Sequence, residues 1–453
     1  MRKNPYLLPS GQRASRIEIS DYLGGADFVH DESAVNAAYA SKYKNFRIRE
    51  GVLTDGWGIE ECTLLGGAAD VKYAWLYKKT EDGGETVTPM YCDGSGRVHA
   101  VKGGKDEILD GITARGTVSA ADYRLYGTDV SLICSSVDGM AVYDGETARM
   151  VESSPKITSM ALHYERLFVT SADAVTSVRF SDDLDPTNWS QSLDSGGFVE
   201  LADGYGKSNK VVAFLNYVYI FRDYGISRMI AYADQSEFSV SNLYVSAGRI
   251  YPSSVAVCGD KVIFLSDGGL NVFDGLSTAP VLKSLGSITP KKDGAVGYWA
   301  DGKYFLAYSS GGEKNDRLLV YDTLGGNAEI SEGFEISSFV GGGTLAAVSQ
   351  GRAVTVAPCG AAFGTPTKKV WRVPLGSIGK TDRMKTLESA SLHTATDMEL
   401  KIICDGRTRT FRLKGGANMK TVKIGMRGRR IGAEISSCGT GTRISGVTFA
   451  LKT

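Results

Sequence analysis

Val262-Ile-Phe-Leu-Ser-Asp-Gly-Gly-Leu-Asn-Val-Phe273 is an apolar strand, a tight turn and a second apolar strand. Ser and Asp side chains can close a turn onto their own backbone, and glycine supplies the positive φ that tight turns require. The same pattern recurs along the chain. It stands at Met90–Ala100, Leu132–Tyr143, Leu167–Val178 and Tyr217–Arg228, and in looser form at Tyr304–Tyr321 and Val354–Val373. With turn centres at Gly94, Asp138, Asp173, Tyr224, Asp267, Gly311 and Gly360, successive spacings are 44, 35, 51, 43, 44 and 49 residues. A unit of four short strands and their connections needs roughly 40 residues, the period of propeller blades. A lone four-stranded sheet leaves both apolar faces uncovered, whereas radial packing buries them and leaves only short edges. The fold expected is therefore all-β: a β-propeller of six or seven blades.

Composition agrees with a turn-rich β protein. Of 453 residues, 55 are Gly and only 11 are Pro, with 42% apolar and 23% charged residues. The polar start, Met1–Ser10, has no apolar core of the kind a secretory signal carries, and no window approaches the ~20 apolar residues of a membrane-spanning helix. No membrane insertion is expected.

The flanks of the repeats read differently. Residues 1–44 look like an extended N-terminal arm with one strand candidate, Arg16-Ile-Glu-Ile19, and a short helix around Ser33–Lys44. The propeller is assigned to 45–375. Beyond it, Glu399–Cys404, Arg409–Leu413, Thr421–Ile424, Ile431–Ile435 and Gly446–Leu451 alternate apolar and charged positions, as strands with one buried and one solvated face do. Residues 376–453 are therefore assigned to a small, basic, antiparallel, sandwich-like domain.

Charge is divided unevenly. The segment Pro366–Thr453 holds 18 Lys and Arg against 6 Asp and Glu, out of 51 of each in the chain, which leaves 33 basic and 45 acidic residues before it. The densest basic cluster is Arg427, Arg429 and Arg430 with Lys414, Lys420 and Lys423. Three readings suit it: a solvated strand face, a contact with the acidic body of a neighbouring copy, or the lining of a channel that touches DNA phosphates without reading bases. A strongly cationic lining would retard moving DNA, so the subunit boundary is the first assignment and the lumen the second.

Little points to catalysis. The seven cysteines are scattered without a CxxC pair and the four histidines lie far apart, so reduced thiols and no metal site are expected. Carboxylate pairs such as Asp182/Asp183 and Glu60/Glu61 are adjacent rather than facing. No GxSxG, HExxH or phosphate-loop spacing occurs. The chain is read as a non-enzyme without a cofactor.

Phe180-Ser-Asp-Asp-Leu-Asp-Pro-Thr-Asn-Trp189 partly resembles the Asp-box hairpin of sialidase-type propellers, a structural motif, but Asp185 stands where that motif has glycine and Trp189 lies one residue late. Taken in order, Asn45–Gly58, Phe180–Trp189, Gly196–Gly204, Val211–Arg222 and Gly259–Gly275 resemble tail propeller proteins of tailed bacteriophages, the group that includes the tail nozzle, or packaged-DNA stabilisation, proteins of short-tailed phages. That resemblance implies a structural virion protein, assembled in the host cytoplasm into a ring of identical subunits. It would extend the DNA channel, retain the packaged genome and dock fibres or a plug. The resemblance alone implies sixfold symmetry, contacts with adaptor, fibre or plug proteins, and passing double-stranded DNA. The alternative is a receptor-binding propeller that recognises host-surface glycan, a reading that exposed aromatics at one end of the blades would favour.

Overall fold

A computed structural model of the chain describes residues 14–19, 22, 24–31, 34–35, 39–81, 83–192, 195–232, 234–286, 291–374 and 384–452. Apart from two single-turn 3-10 helices, Gln235–Glu237 and Lys283–Leu285, its regular elements are strands. Six consecutive four-stranded antiparallel meanders span 71–113, 118–151, 157–200, 208–245, 250–280 and 291–332 and form blades 1 to 6. Blade 7 takes three strands from late in the chain (Ser338–Phe339, Ala346–Ser349, Arg352–Ala357) and its fourth, Gly58–Glu61, from before blade 1. The chain is thus a seven-bladed β-propeller whose ring is closed by three strands from after the repeat array and one from before it.

Burial explains why the blade hairpins were readable. The second and third strands of a blade are covered by a neighbour on each side, so Thr128–Ser135 and Gly139–Tyr143 are buried almost throughout, as are Lys261–Ser266 and Lys303–Ser309. Strands buried on both faces read as apolar runs instead of alternating. Seven hydrophobic clusters among the described residues match the seven blade-to-blade interfaces. One of them, with Val71, Tyr91, Val340 and Val348, closes blade 7 onto blade 1.

Six of the seven expected turn centres fall between the second and third strands of blades 1 to 6. The seventh does not. The corresponding turn of blade 7 is Gln350-Gly351, whereas Gly360 lies where the chain leaves the propeller, its N–H bonded to the Gly56 carbonyl.

Domain limits also differ from the sequence reading. Phe46–Arg49 and Val52–Asp55, expected in the propeller, pair instead in a sheet with Arg443–Lys452, Lys385–Thr394 and Lys420–Gly428. Ala14–Ile19 joins the same sheet along Arg443–Lys452. Lys42–Lys44 and Lys369–Pro374 belong to the facing sheet, with Ile431–Ser437, Met398–Cys404 and Arg407–Leu413. The C-terminal sandwich is therefore built from both ends of the chain, and the propeller is inserted into it. Of the helix expected around Ser33–Lys44, Lys42–Lys44 is a strand and Ala40 bridges Ala26, while Ser33 and 36–38 lie outside the described residues.

The two parts are joined firmly. Asn45, at φ 60°, donates its N–H to the Ile330 carbonyl (2.8 Å), accepts from the Glu332 N–H (2.7 Å) and donates its amide to the Lys368 carbonyl (2.9 Å). Arg47 Nε lies 3.2 Å and Trp57 Nε1 2.6 Å from Glu329 Oε2 on the outer strand of blade 6. One hydrophobic cluster runs without a break from blades 5 and 6 (Leu265, Tyr304, Leu319) into the sandwich core (Trp371, Leu400, Phe449). The outer edge of blade 6 is covered rather than open.

Aspartates pin the turns. Asp138 accepts from the Arg115 backbone and guanidinium, and Asp274 accepts the N–H groups of Leu276 and Ser277. These partners hold both carboxyls below their ordinary range, Asp138 chiefly through the Arg115 side chain and Asp274 chiefly through the Ser277 N–H. A folded pKa below the unfolded one gives stability that is present above about pH 4 and is lost as pH falls through the lowered values. The melting temperature should therefore hold steady from pH 7 to 5 and drop below about pH 4. A thermal-melt series that stays flat to pH 2.5 would contradict this account.

Candidate interaction edge

Both sandwich sheets run outward from blade 6. In one, the strand nearest the propeller is Phe46–Arg49 and the last is Lys420–Gly428; in the other, the nearest is Lys42–Lys44 and the last is Arg407–Leu413. Four strand spacings of ~4.8 Å place the last strands about 19 Å beyond the docked ones. The six basic residues singled out in the sequence all lie at this distal edge.

Their placement follows strand alternation. On Lys420–Gly428, Val422, Ile424 and Met426 turn toward the core, and Lys423 and Arg427 lie on the exposed outer face. Arg427 pairs with Thr386, and a register shift occurs between Leu387 and Ser389. Lys420 is half-buried at the start of the strand. Arg429 and Arg430 form the crossing to the facing sheet, where Asp405 accepts both N–H groups, at 2.9 and 2.8 Å. The Arg430 and Arg429 N–H groups hold the Asp405 carboxyl below its usual range. Lys414 pairs with Asp397 at 2.7 Å.

Three arginines missing from the sequence assignment complete the edge. Arg407 and Arg409 sit on the core-facing side of their strand, in register with Cys404 and Ile402. Their guanidiniums reach across to the other sheet, donating to the carbonyls of Arg427 (2.6 Å) and Ile424 (2.8 Å). Arg409 also stacks on Phe411, 5.1 Å from the ring centroid. Inward-pointing charges of this kind stop an edge strand from pairing with another sheet. Arg412 pairs with Glu399 on the outer face. The alternation Arg407-Thr-Arg409 was the available signal.

The electrostatics follow from the counts. Among the described residues Asp397, Glu399 and Asp405 are carboxylates on this edge, and Lys420, Lys423, Arg427, Arg429 and Arg430 make no ion pair within 4 Å, although the Asp405 carboxylate lies near Arg429. With a Debye length of about 8 Å, the acidic propeller about 19 Å away does not neutralise its own sandwich edge. The surface is open on one side to a cavity of about 390 Å³ lined by Asp31, Arg372, Ile403, Asp405 and Arg430. It could hold anionic groups: carboxylates of a protein or phosphates of a nucleic acid. None of the six residues lies on the innermost blade strands that surround the propeller axis.

Elsewhere, chemistry is sparse. Among the described residues no group of three His, Cys, Asp or Glu converges as a metal site, and no helix is long and apolar enough to cross a membrane. All seven cysteines are unpaired; burial pushes the Cys92 and Cys258 thiols up to about 12, and Cys438 is exposed. In the Phe180–Trp189 segment Asp182 accepts from the Asn188 amide (2.7 Å), Asp185 accepts from the Thr187 N–H (2.9 Å), and Trp189 is buried against blade 2. This is a self-closed loop.

The fold and this edge define a seven-bladed β-propeller carrying a basic β-sandwich. No known protein family and no curated protein matches the sequence. Among solved structures the chain is similar to Raptor of Chaetomium thermophilum, at 10% identity and a TM-score of 0.46 over 66% of this chain. It is also similar to BBS1N in complex with ARL6DN, at 10% identity and a TM-score of 0.44 over 68% of this chain and 97% of that one. The chain spans 28% of the Raptor chain.

Proposed function

We propose that the chain is a structural protein of a bacteriophage tail, a ring-forming nozzle subunit that extends the DNA channel, retains the packaged genome and gives fibres or a plug a docking surface. The work is mechanical and recognitional, without turnover or cofactor, and the site of action is the virion. One observation carries the reading: a propeller is joined to a sandwich whose basic distal edge, only partly paired, faces away from its own acidic body. A subunit with complementary surfaces at separate places makes heterologous contacts, which close into a ring when the rotation permits. Negative-stain images of the purified protein, and of the particle that contains it, test this. Closed rings with a central channel at the tail are the expected result, and a protein absent from the particle would refute the reading.

A second reading, recognition of host-surface glycan, is favoured by Tyr126, Tyr164 and Tyr232, which are 80%, 57% and 67% exposed.

A further inference from the structure

In a four-stranded meander the first and third turns lie at one end of the blade, and the second turn and the connection to the next blade lie at the other. The two ends of this propeller are therefore separate surfaces, and they are chemically unlike. The first-and-third-turn end exposes Tyr126, Tyr164 and Leu215 on first turns and Tyr232, Leu276 and Leu324 on third turns, all more than half exposed. Exposed carboxylates stand among them at Glu165, Asp183, Glu237 and Asp260. The opposite end carries exposed carboxylates too, at Glu152, Asp173, Asp203 and Glu313, among Arg115, Lys156, Lys207 and Arg249; what it lacks is the apolar display, since Val137, Val175 and Tyr224 on its second turns are each less than half exposed.

The apolar first-turn tips are held in unfavourable backbone. Tyr126, Tyr164 and Leu215 hold φ of 48°, 50° and 47°, the left-handed region where hairpin tips favour Gly, Asn or Asp. A bulky residue there is strained, and an exposed side chain gains little from burial within its own chain. The rings are also held in place: Tyr164 meets Tyr232 edge-on at 5.5 Å, and the Tyr126 hydroxyl donates to Asp185 at 2.7 Å. A preordered aromatic surface loses little side-chain freedom when a partner arrives.

We propose that this acidic, aromatic end of the propeller receives the basic distal edge of the sandwich of a second copy, head to tail. The proposal deepens the ring reading above and rests on it for self-association. Charge complementarity selects the occupant: the edge brings Arg427, Arg429 and Arg430 without ion-pair partners among the described residues, and arginine both pairs with carboxylates and stacks on tyrosine. Met419, 69% exposed between Lys414 and Lys420, gives the edge an apolar point to set against the tyrosines. The same edge cannot satisfy its own propeller, because the sandwich is fixed to blade 6 through Asn45 and points outward.

The test uses the full chain and sedimentation at several salt concentrations. One variant is Arg427→Glu/Arg429→Glu/Arg430→Glu; the other is Glu165→Lys/Asp183→Lys/Glu237→Lys, which spares the turn-pinning Asp182 and Asp185. Native protein should associate at low salt and dissociate as salt rises, and each variant should associate about tenfold or more weakly. Mixing the two variants should restore association, because each junction then pairs opposite charges again. Both triples in one chain should do the same. Tyr164→Asn should weaken association while leaving the melting temperature unchanged or higher, an outcome a merely structural tyrosine would not give. Native protein that stays monomeric at low salt, or variants that associate normally, would overturn the proposal. So would tyrosine-dependent binding of neutral polysaccharide by a chain whose self-association ignores Tyr164. Normal rings in both variants would reject this docking and leave the ring reading standing. Salt-sensitive open chains that never close would uphold the docking and reject the ring.

Discussion

Asp55→Ala should destabilise the folded chain by about 3–5 kcal/mol, the cost of leaving a buried charge without its partner. Lys369 is fully buried, with its ammonium 3.1 Å from Asp55 Oδ1 and donating to the Gly439 carbonyl at 2.6 Å. Asp55 also accepts the N–H groups of Gly441 (2.6 Å) and Thr442 (3.2 Å). One carboxylate thus ties the N-terminal strand Val52–Asp55 to the start of the C-terminal segment and to the loop before the last strand. Alanine would orphan the ammonium and two backbone donors together. Adding Lys369→Met should recover part of the loss, since an apolar side chain of similar length has no charge to solvate. Urea unfolding of the single and double variants measures both effects. A loss below about 1 kcal/mol for Asp55→Ala would mean that water reaches Lys369 and that this junction is not tight.

Gly58→Ala should be nearly as damaging, at about 3 kcal/mol or more, and should act on closure of the ring. Gly58 opens the strand that completes blade 7, and a Cβ there would lie 2.1 Å from the Ala361 carbonyl oxygen and 2.7 Å from Cys359 Sγ. Backbone cannot step aside as a flexible side chain can. The closing strand would have to shift, although it must still bury Ile59 beside Phe305 and Val354 and pair with Arg352–Ala357. Gly204→Ala is the control: that glycine has no positive φ and nothing within 4 Å of an added Cβ. Equal urea midpoints for the two variants would show that the closure tolerates displacement.

The error in the domain limits has a physical cause that was visible in the residues. Phe46-Arg-Ile-Arg49 alternates apolar and charged positions, the signature of a strand with one wet face, while the blade strands around Ile263 and Leu306 are apolar without alternation. Alternation placed that segment with the C-terminal strands, whereas its order in the chain suggested the propeller. The six basic residues were found from density of charge alone. Arg407 and Arg409 were not, because a side chain on the inner face of a strand normally marks core, and their reach to carbonyls of the opposite sheet depends on two edges coming together.

The local chemistry of the sequence was enough to determine a repeated, all-β architecture. Doubly buried strands must be apolar throughout, the turns between them must supply positive φ or a side chain that closes the turn, and both requirements act within about a dozen residues. It also determined that charge is split between body and tail. The tertiary structure alone decided which distant strand locks blade 7, that both chain ends build one sandwich, and that the basic cluster lies at the edge farthest from the propeller. It alone gathered the most exposed apolar tips, Tyr126, Tyr164, Tyr232, Leu215, Leu276 and Leu324, onto one end of the ring. Those outcomes depend on pairings between residues hundreds of positions apart and on which end of a blade each turn occupies, and neither leaves a mark in the short stretches where turn and burial rules operate.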